Sequence, residues 1–599
     1  MLYPQSNSCR QMADLSGLWD FRFDPANEGL DQGWGTGFDP AEIIAVPASW
    51  NDQFADWRDY LGVAWYQTAF DLPWGWRGQR LLIRFNAVSY LAEVWLNGER
   101  LGEHEGGHLP FVFDITGRVR DAGNTLVVRV DGQLLPDRVP PGGLSGLPGA
   151  TFGRADFPDA NFDFFPFCGI DRPVLIYTEP PAAITDLTVT TQIEGSNGRV
   201  RVNIMRTPGD TLSARVTLTG HGTEITADVN LSGESGETML TIPQAALWSP
   251  EAPNLYDLRV ELRREGTIID RYTLPVGIRT IHVDGDRLLL NGQPVKLFGF
   301  GRHEDFPIIG KGMLPALIVK DYALLRWIGA NSFRTTHYPY SEQMMDMADR
   351  LGFMVIDETP AVGLFFMETG LDQRNRLCHQ MIQEMIDRDK NHPSVIMWSL
   401  ANEPHTSRPE ARRAYDQDLT VMEHPSRPEA VASFKTMAEL AHRLDPTRPV
   451  TLVTHEGALE ESFEFVDVVC LNRYCGWYSQ SGQIDAGLDR LNDEIELIHQ
   501  LYPKPFILSE FGADTIPGHH AQPPEMFSEE YQAEILTQTM ALIDAKPFVV
   551  GQHVWNLCDF KTSQSVIRMG ATNYKGVFTR DRRPKAAAHR LRARWRGED

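Results

Sequence analysis

Two carboxylates carry the chemistry that this sequence offers. Glu403 ends an apolar run, Val395-Ile396-Met397-Trp398-Ser399-Leu400-Ala401, directly after the amide of Asn402 and before Pro404. Glu510 ends a second run in Ile507-Leu508-Ser509-Glu510-Phe511-Gly512. An uncharged run of this kind reads as a strand covered on both faces of a parallel sheet, with polar groups appearing where the strand emerges. A carboxylate at that point has rigid backbone behind it and open space in front. A short Asn-Glu-Pro motif by itself is as readily the start of a surface loop, so the other strand ends must decide.

The elements that would position these groups begin near residue 280. Apolar runs at 295–300, 331–336, 353–358, 395–402, 449–454, 466–472, 505–510 and 549–556 alternate with helical patterns at 315–330, 341–352, 373–390, 430–444, 487–502, 528–546 and 584–595. Eight such units predict a (β/α)8 TIM barrel over 280–599, with its site at the C-terminal ends of the strands. The fifth connection has the weakest pattern, a short helical turn around 458–463. Polar and aromatic residues follow nearly every run, including Arg302-His303-Glu304-Asp305, Thr336-His337-Tyr338, Asp357-Glu358, Asn472-Arg473-Tyr474 and Trp555-Asn556. Unrelated surface loops would not share this property.

Two chemistries use such a ring. A metal hydrolase needs several His and Asp ligands at metal spacing; His303 has no second His two positions away and His337 stands alone on its strand, so no metal is expected. A glycosidase needs two carboxylates facing each other across a sugar, and a separation of about 5 Å supports double displacement with retention. Glu403 and Glu510 end the fourth and seventh strands, on opposite sides of a barrel mouth. With Asn402 beside it to bond a sugar 2-hydroxyl, Glu403 takes the role of general acid/base and is expected to have a raised pKa. Glu510 is then the nucleophile, and Tyr474 donates its hydroxyl to hold that carboxylate ionised, although a tyrosine so placed, taken alone, is more often a core or rim residue.

The rest of the chain is β-rich. Residues 1–180 carry short aromatic strands and an Asn97-Gly98 hairpin signal, predicting a jelly-roll β-sandwich. Residues 181–279 alternate in 199–204 and 256–262, as expected of an immunoglobulin-like β-sandwich. The whole is a multidomain β plus α/β protein. Its 80 acidic against 56 basic residues give a formal charge of -24, which argues against nucleic-acid or anionic-membrane partners. The six cysteines, at 9, 168, 378, 470, 475 and 558, show no paired spacing, so free thiols and a cytoplasmic location are expected. No leader-like or membrane-spanning run is evident.

The three-domain order, Gly301-Arg302-His303-Glu304-Asp305, Arg334-Thr335-Thr336-His337-Tyr338-Pro339-Tyr340, Asn402-Glu403-Pro404 and Ser509-Glu510-Phe511-Gly512 together resemble the β-glucuronidases of glycoside hydrolase family 2, over nearly the whole chain. The resemblance implies a retaining mechanism without cofactor. It also implies that Asn573 and Lys575, in Asn573-Tyr574-Lys575-Gly576, recognise a C6 carboxylate, with Arg568 nearby, and that Asp163, His337, Trp477, Tyr478 and Trp555 line the site. A Lys charge and an Asn donor suit a uronate, since charge-assisted bonds are about twice as strong as neutral ones. The sequence departs from the bacterial members in a longer segment at 406–429, a shorter one at 361–372, Cys475 where a tyrosine is usual, and a wider spacing from Arg568 to Asn573. Glucuronide conjugates or uronate-terminated oligosaccharides are the expected substrates and a homo-oligomer the expected state. β-Galacturonidase or neutral-sugar β-galactosidase activity, and a catalytically silent sugar-binding protein, are the alternatives; the second carboxylate argues against the last.

Overall fold

In the computed structural model, residues 1–143, 156–422 and 426–598 are described. The C-terminal region closes into a parallel barrel of eight strands: β1 Leu297–Arg302, β2 Ser332–Thr335, β3 Met354–Glu358, β4 Val395–Asn402, β5 Val450–Thr454, β6 Val468–Asn472, β7 Phe506–Glu510 and β8 Val549–Val554. Closure is direct, with β8 pairing back onto β1 through Leu297↔Gly551 and Phe300↔Val554. All eight residues of β4 are buried, because the barrel interior covers one face and the helix layer the other.

The helices form where the apolar spacing and the end signals agree. Ser341 caps the helix Glu342–Leu351 by accepting from Met344 N, and Gly352, in a left-handed conformation at φ 76°, ends it; a residue with a side chain would be strained there. Two features differ from the sequence reading. The longer segment 406–429, to which the sequence assigns no element before residue 430, contains a helix, Pro409–Gln417, with proline in its first turn and one buried residue, Tyr415; so narrow an apolar face leaves no periodic signal. Residues 423–425 of that segment lie outside the described residues. The fifth connection holds two 3-10 turns, Gly457–Leu459 and Glu461–Phe465, in place of a helix.

Two β-sandwich units precede the barrel. The first is built on a six-stranded sheet containing Gly17–Asp24, Val63–Phe70 and Asn124–Asp131, opposed by a four-stranded sheet containing Arg80–Phe85 and Val174–Glu179. The second packs three strands, including Ile184–Glu194, against four, including Tyr256–Arg264. The hairpin Ile281–Asp284/Arg287–Leu290 then buries Ile281, Leu288 and Leu290 in one cluster with Leu297, Val468 and Val550 at the beginnings of barrel strands. That end of the barrel is therefore filled with apolar side chains, and the site is confined to the opposite end.

Polar contacts fix the units to the barrel. Arg279 donates to Pro393 O (3.0 Å) and Val395 O (2.6 Å), holding the start of β4. Arg172 of the first sandwich donates to Glu304 (3.0 Å), and Asn161 donates to Gly363 O (2.6 Å). The loop bearing residues 161–167 is thereby carried over the C-terminal ends of the strands.

Candidate active site

Five strand ends, those of β2, β3, β4, β6 and β7, build one buried network. Glu403 leaves β4 with φ at 45°, a region that residues other than glycine seldom adopt and that clusters at functional sites. Its N–H donates to Val453 O (2.9 Å), and the N–H of Asn402 donates to Ala361 O (3.0 Å). The β4–β5 pairing shifts register between Ser399 and Asn402, and the β6–β7 pairing shifts after Leu471, so that Asn472 stands opposite Glu510. Irregularities of this kind re-aim side chains at the end of a strand, here those of Asn402, Glu403, Asn472 and Glu510.

Both Glu510 oxygens are engaged by donors. Arg334 Nη2 donates to Oε1 and Tyr474 Oη donates to Oε2 at 2.6 Å. Arg334 is itself held by Glu358, whose two oxygens lie 2.8 Å from Nη1. His337 donates from Nδ1 to Glu358 (2.8 Å), and its ring stacks on Trp555 at 5.2 Å and 16°. On the other side, Asn472 Nδ2 donates to Glu403 Oε1 (2.9 Å) and to Asn402 Oδ1 (3.0 Å), while Asn472 Oδ1 accepts from Ser509 (2.9 Å). With Oδ1 of Asn402 occupied, its Nδ2 is the group left to donate; its nearest partner, His337 Nε2, is at the limiting distance of 3.5 Å.

The electrostatics correct one expectation. The raised carboxyl is that of Glu510: burial pushes it up to about 8, and the Glu403 charge adds to this against the opposing effects of Arg334 and Tyr474. Glu403 is instead lowered; burial raises it, but His455, the bond from Asn472, and His337 and His405 outweigh this. Two of those imidazoles bring little charge at neutral pH, because burial lowers His337 and pushes His405 down to about 4. In the empty site at neutral pH the proton therefore rests on Glu510 and the charge on Glu403. Burial and the Glu510 charge raise the Tyr474 hydroxyl well above its ordinary value, so it remains a donor.

A second network lies beyond β8. Arg568 donates to Asp163 through Nε (2.8 Å) and Nη2 (2.6 Å), and Asn573 Nδ2 donates to the same carboxylate (2.6 Å). Tyr478 Oη accepts from Arg568 (2.6 Å) and from Lys575 Nζ (2.7 Å). Lys575 also pairs with Asp514, which stands 3.4 Å from Arg568. The turn Met569–Ala571, where Gly570 and Ala571 both have positive φ, links Arg568 to Asn573, and Arg568 is brought into the cluster. Burial opposes the charge on Asp163, but Arg568 and Lys575 hold its carboxyl low.

Both networks open on one cavity of about 940 Å³, lined by Glu403, Glu510, Asn402, Asp163, His337, Tyr474, Tyr478, Trp555, Arg568, Asn573 and Lys575. One expected wall residue is displaced: Trp477 lies a layer behind, packed edge-on against Phe527 at 4.9 Å with its ring 5.7 Å from Lys575 Nζ. Its large apolar ring is better accommodated under the lysine than in a polar cavity. Arg334, Glu358, Asn472 and Asp514 were not singled out from sequence. The first three stand at barrel strand ends, which was the available signal, and Asp514 lies four residues past Glu510. At the rim, ligand atoms of His405, His455 and Glu456 lie within 4.8 Å of one another, a grouping able to hold a metal ion, although Arg412 stands 3.5 Å from Glu456 and competes with a cation there.

Known proteins match the chain over nearly its whole length. Residues 281–597 match the family model "Glycosyl hydrolases family 2, TIM barrel domain", residues 12–180 its sugar binding domain and residues 182–279 a third model described as "Glycosyl hydrolases family 2". A β-glucuronidase of Paenibacillus borealis is 40% identical, covering 99% of this chain and 98% of the relative, and one of Homo sapiens is 39% identical over 99% and 92%. Among solved structures, the β-D-glucuronidase of Dictyoglomus thermophilum superposes with a TM-score of 0.88 at 38% identity, covering 100% and 99% of the two chains. A β-glucuronidase from Ruminococcus gnavus, in complex with C6-substituted uronic isofagomine, gives 0.90 at 35% identity and 99% coverage of each chain.

Proposed function

The chain belongs to glycoside hydrolase family 2, and from that premise we propose that this glycoside hydrolase removes terminal β-D-glucuronate from conjugates or oligosaccharides with retention of configuration. The observation that carries the reading is the placement, in one cavity, of the Glu403–Glu510 pair together with the buried Arg568, Asn573 and Lys575. A uronate carboxylate takes the donors that Asp163, Asp514 and Tyr478 hold in the empty site. Each cation then exchanges one charge-assisted bond for another, with a planar anion suited to the Arg568 guanidinium.

In the reacting complex the proton belongs on Glu403 and the charge on Glu510. Glu510 attacks the anomeric carbon as Glu403 gives its proton to the departing oxygen, forming a glycosyl-enzyme ester; Glu403 then takes a proton from the water that cleaves it. Arg334 and Tyr474 stabilise the Glu510 anion. Asn402 Nδ2 donates to the sugar 2-hydroxyl, a bond that tightens as the anomeric centre becomes positive. No resident cofactor is needed for these steps.

The reading extends to state and location. Five of the six cysteines are buried and all six are unpaired, which favours the reducing cytoplasm. Leu18 and Ile43, 76% and 63% exposed on adjoining strands of the first sandwich, favour a homo-oligomer, to be checked by light scattering. The substrate reading is tested with chromogenic β-glucuronide, β-galacturonide, β-galactoside and β-glucoside of one aglycone, on wild type and Lys575→Ala. The glucuronide is expected to be preferred. Lys575→Ala is expected to lower its kcat/KM by about 10- to 100-fold, the scale of one charged hydrogen bond, and that of the glucoside far less. Equal losses would remove the carboxylate role, and faster galacturonide turnover would move the assignment to the C4 epimer.

A further inference from the structure

The cavity extends past Glu403 to a rim that the reaction does not use. It is built from the segment after β4 (Arg412, Arg413 and Arg427), from His455 after β5, and from Arg490 in the helix after β6. The rim lies on the Glu403 side of the cavity, since His455 and His405 are among the groups that act on the Glu403 carboxylate, whereas Arg568 and Lys575 come from the loop after β8. The group that Glu403 protonates departs on its own side. The rim therefore faces the leaving group.

The charge balance there is unusual for a chain of formal charge -24. Arg412 is paired with Asp416 (2.9 Å) and Glu456 (3.5 Å), and Arg473, beneath the rim, is paired with Glu494. The others have no carboxylate at ion-pair distance among the described residues. Arg413 donates to Pro409 O (3.2 Å) and Arg490 to Tyr415 O (3.2 Å). Apart from Glu403, Glu510 and the two partners of Arg412, the carboxylates on the cavity wall, Asp156, Asp159 and Asp163, come from the first sandwich. Among the described residues, three guanidinium groups thus face the leaving-group side with no carboxylate at ion-pair distance. The helix Pro409–Gln417 presents Arg413 and supplies, through Tyr415 O, the anchor of Arg490. Arginines in a cleft focus positive potential and bind planar or tetrahedral oxyanions by paired donors.

Resting on the glucuronidase reading, we propose that Arg413, Arg427 and Arg490 form a subsite for a leaving group that carries a carboxylate or sulfate, so that the preferred substrate is the β-glucuronate end of an acidic oligosaccharide. Neutral aryl or alkyl conjugates then lack a partner for this rim. Attraction between the rim and an anionic chain acts partly through solvent and weakens as salt rises.

The test compares kcat/KM for aryl β-glucuronides of matched leaving-group pKa whose aglycone is neutral, carboxylated or sulfonated, and for two disaccharides in which β-glucuronate is joined to a uronate or to a sulfated sugar. Anionic members are expected to exceed neutral ones by about tenfold at low salt, the worth of one charge-assisted bond, with the ratio falling as ionic strength rises. In the triple variant Arg413→Ala/Arg427→Ala/Arg490→Ala the ratio is expected to fall to near one. Thermal unfolding of the variant shows whether the fold is kept; if it is not, Arg413→Gln and Arg490→Gln are read singly, each expected to lower the ratio. A ratio near one in the wild type, or an unchanged ratio in folded variants, would overturn the subsite. The carboxylated and sulfated arms decide which anion is taken. Absence of turnover on every glucuronide would instead remove the glucuronidase reading itself.

Discussion

The Tyr474 hydroxyl donates to Glu510 Oε2 at 2.6 Å while Arg334 engages the other oxygen of the same carboxylate. Two donors of fixed geometry oppose the burial that pushes Glu510 upward, and one of them is a guanidinium that stays charged at any working pH. Tyr474→Phe removes a single donor and keeps the ring. Its expected effect is a fall in kcat of about 10- to 100-fold, the scale of a hydrogen bond to a charged group, with KM little changed because the bond is made to the enzyme's own nucleophile. A wild-type rate would show that Arg334 alone suffices.

The proton on Glu403 matters in proportion to how poor the leaving group is. Glu403→Gln keeps the shape, and keeps an amide oxygen for Asn472 Nδ2, but has no proton to give. Formation of the glycosyl-enzyme from a dinitrophenyl glucuronide is expected to remain close to wild type, while that from a methyl or sugar glucuronide falls by about 100-fold or more, within the range of general acid catalysis. Pre-steady-state release of the aglycone measures this step directly. Equal damage to both substrates would count against the acid role.

Much of this architecture is legible in the chain because the barrel repeats a simple rule. Apolar runs such as Val395–Asn402 must be strands, and the residues after them must face the open end. The carboxylate pair, Asn402 and Tyr474 follow from that rule. What it cannot give is which polar residues act on one another. Arg334 and Glu358 look like two more strand-end polar groups until the fold brings the guanidinium between Glu358 and Glu510. The pKa order of Glu403 and Glu510 also depends on such neighbours, so it inverts the expectation drawn from roles alone. Trp477 was placed by a motif and displaced by packing, and the helix Pro409–Gln417 was hidden because its one buried residue gives no periodicity.

The raised Glu510 pKa makes a prediction about stability that needs no substrate. An exposed carboxyl of this type titrates near 4.5, whereas burial holds Glu510 at about 8 in the folded chain. Between those values the folded state binds the extra proton, so the slope of unfolding free energy with pH is negative. The contribution of Glu510 is fully present below pH 4.5 and is lost as pH rises through 8. Glu510→Gln removes that dependence, since an amide does not titrate. The difference in Tm between variant and wild type is therefore expected to move in the variant's favour from pH 5 to pH 8, as read by calorimetry in buffers of equal ionic strength. His405, pushed to about 4, is neutral throughout this window and does not mimic the effect. A Tm difference independent of pH would place the Glu510 pKa below 5 and remove the resting proton from Glu510.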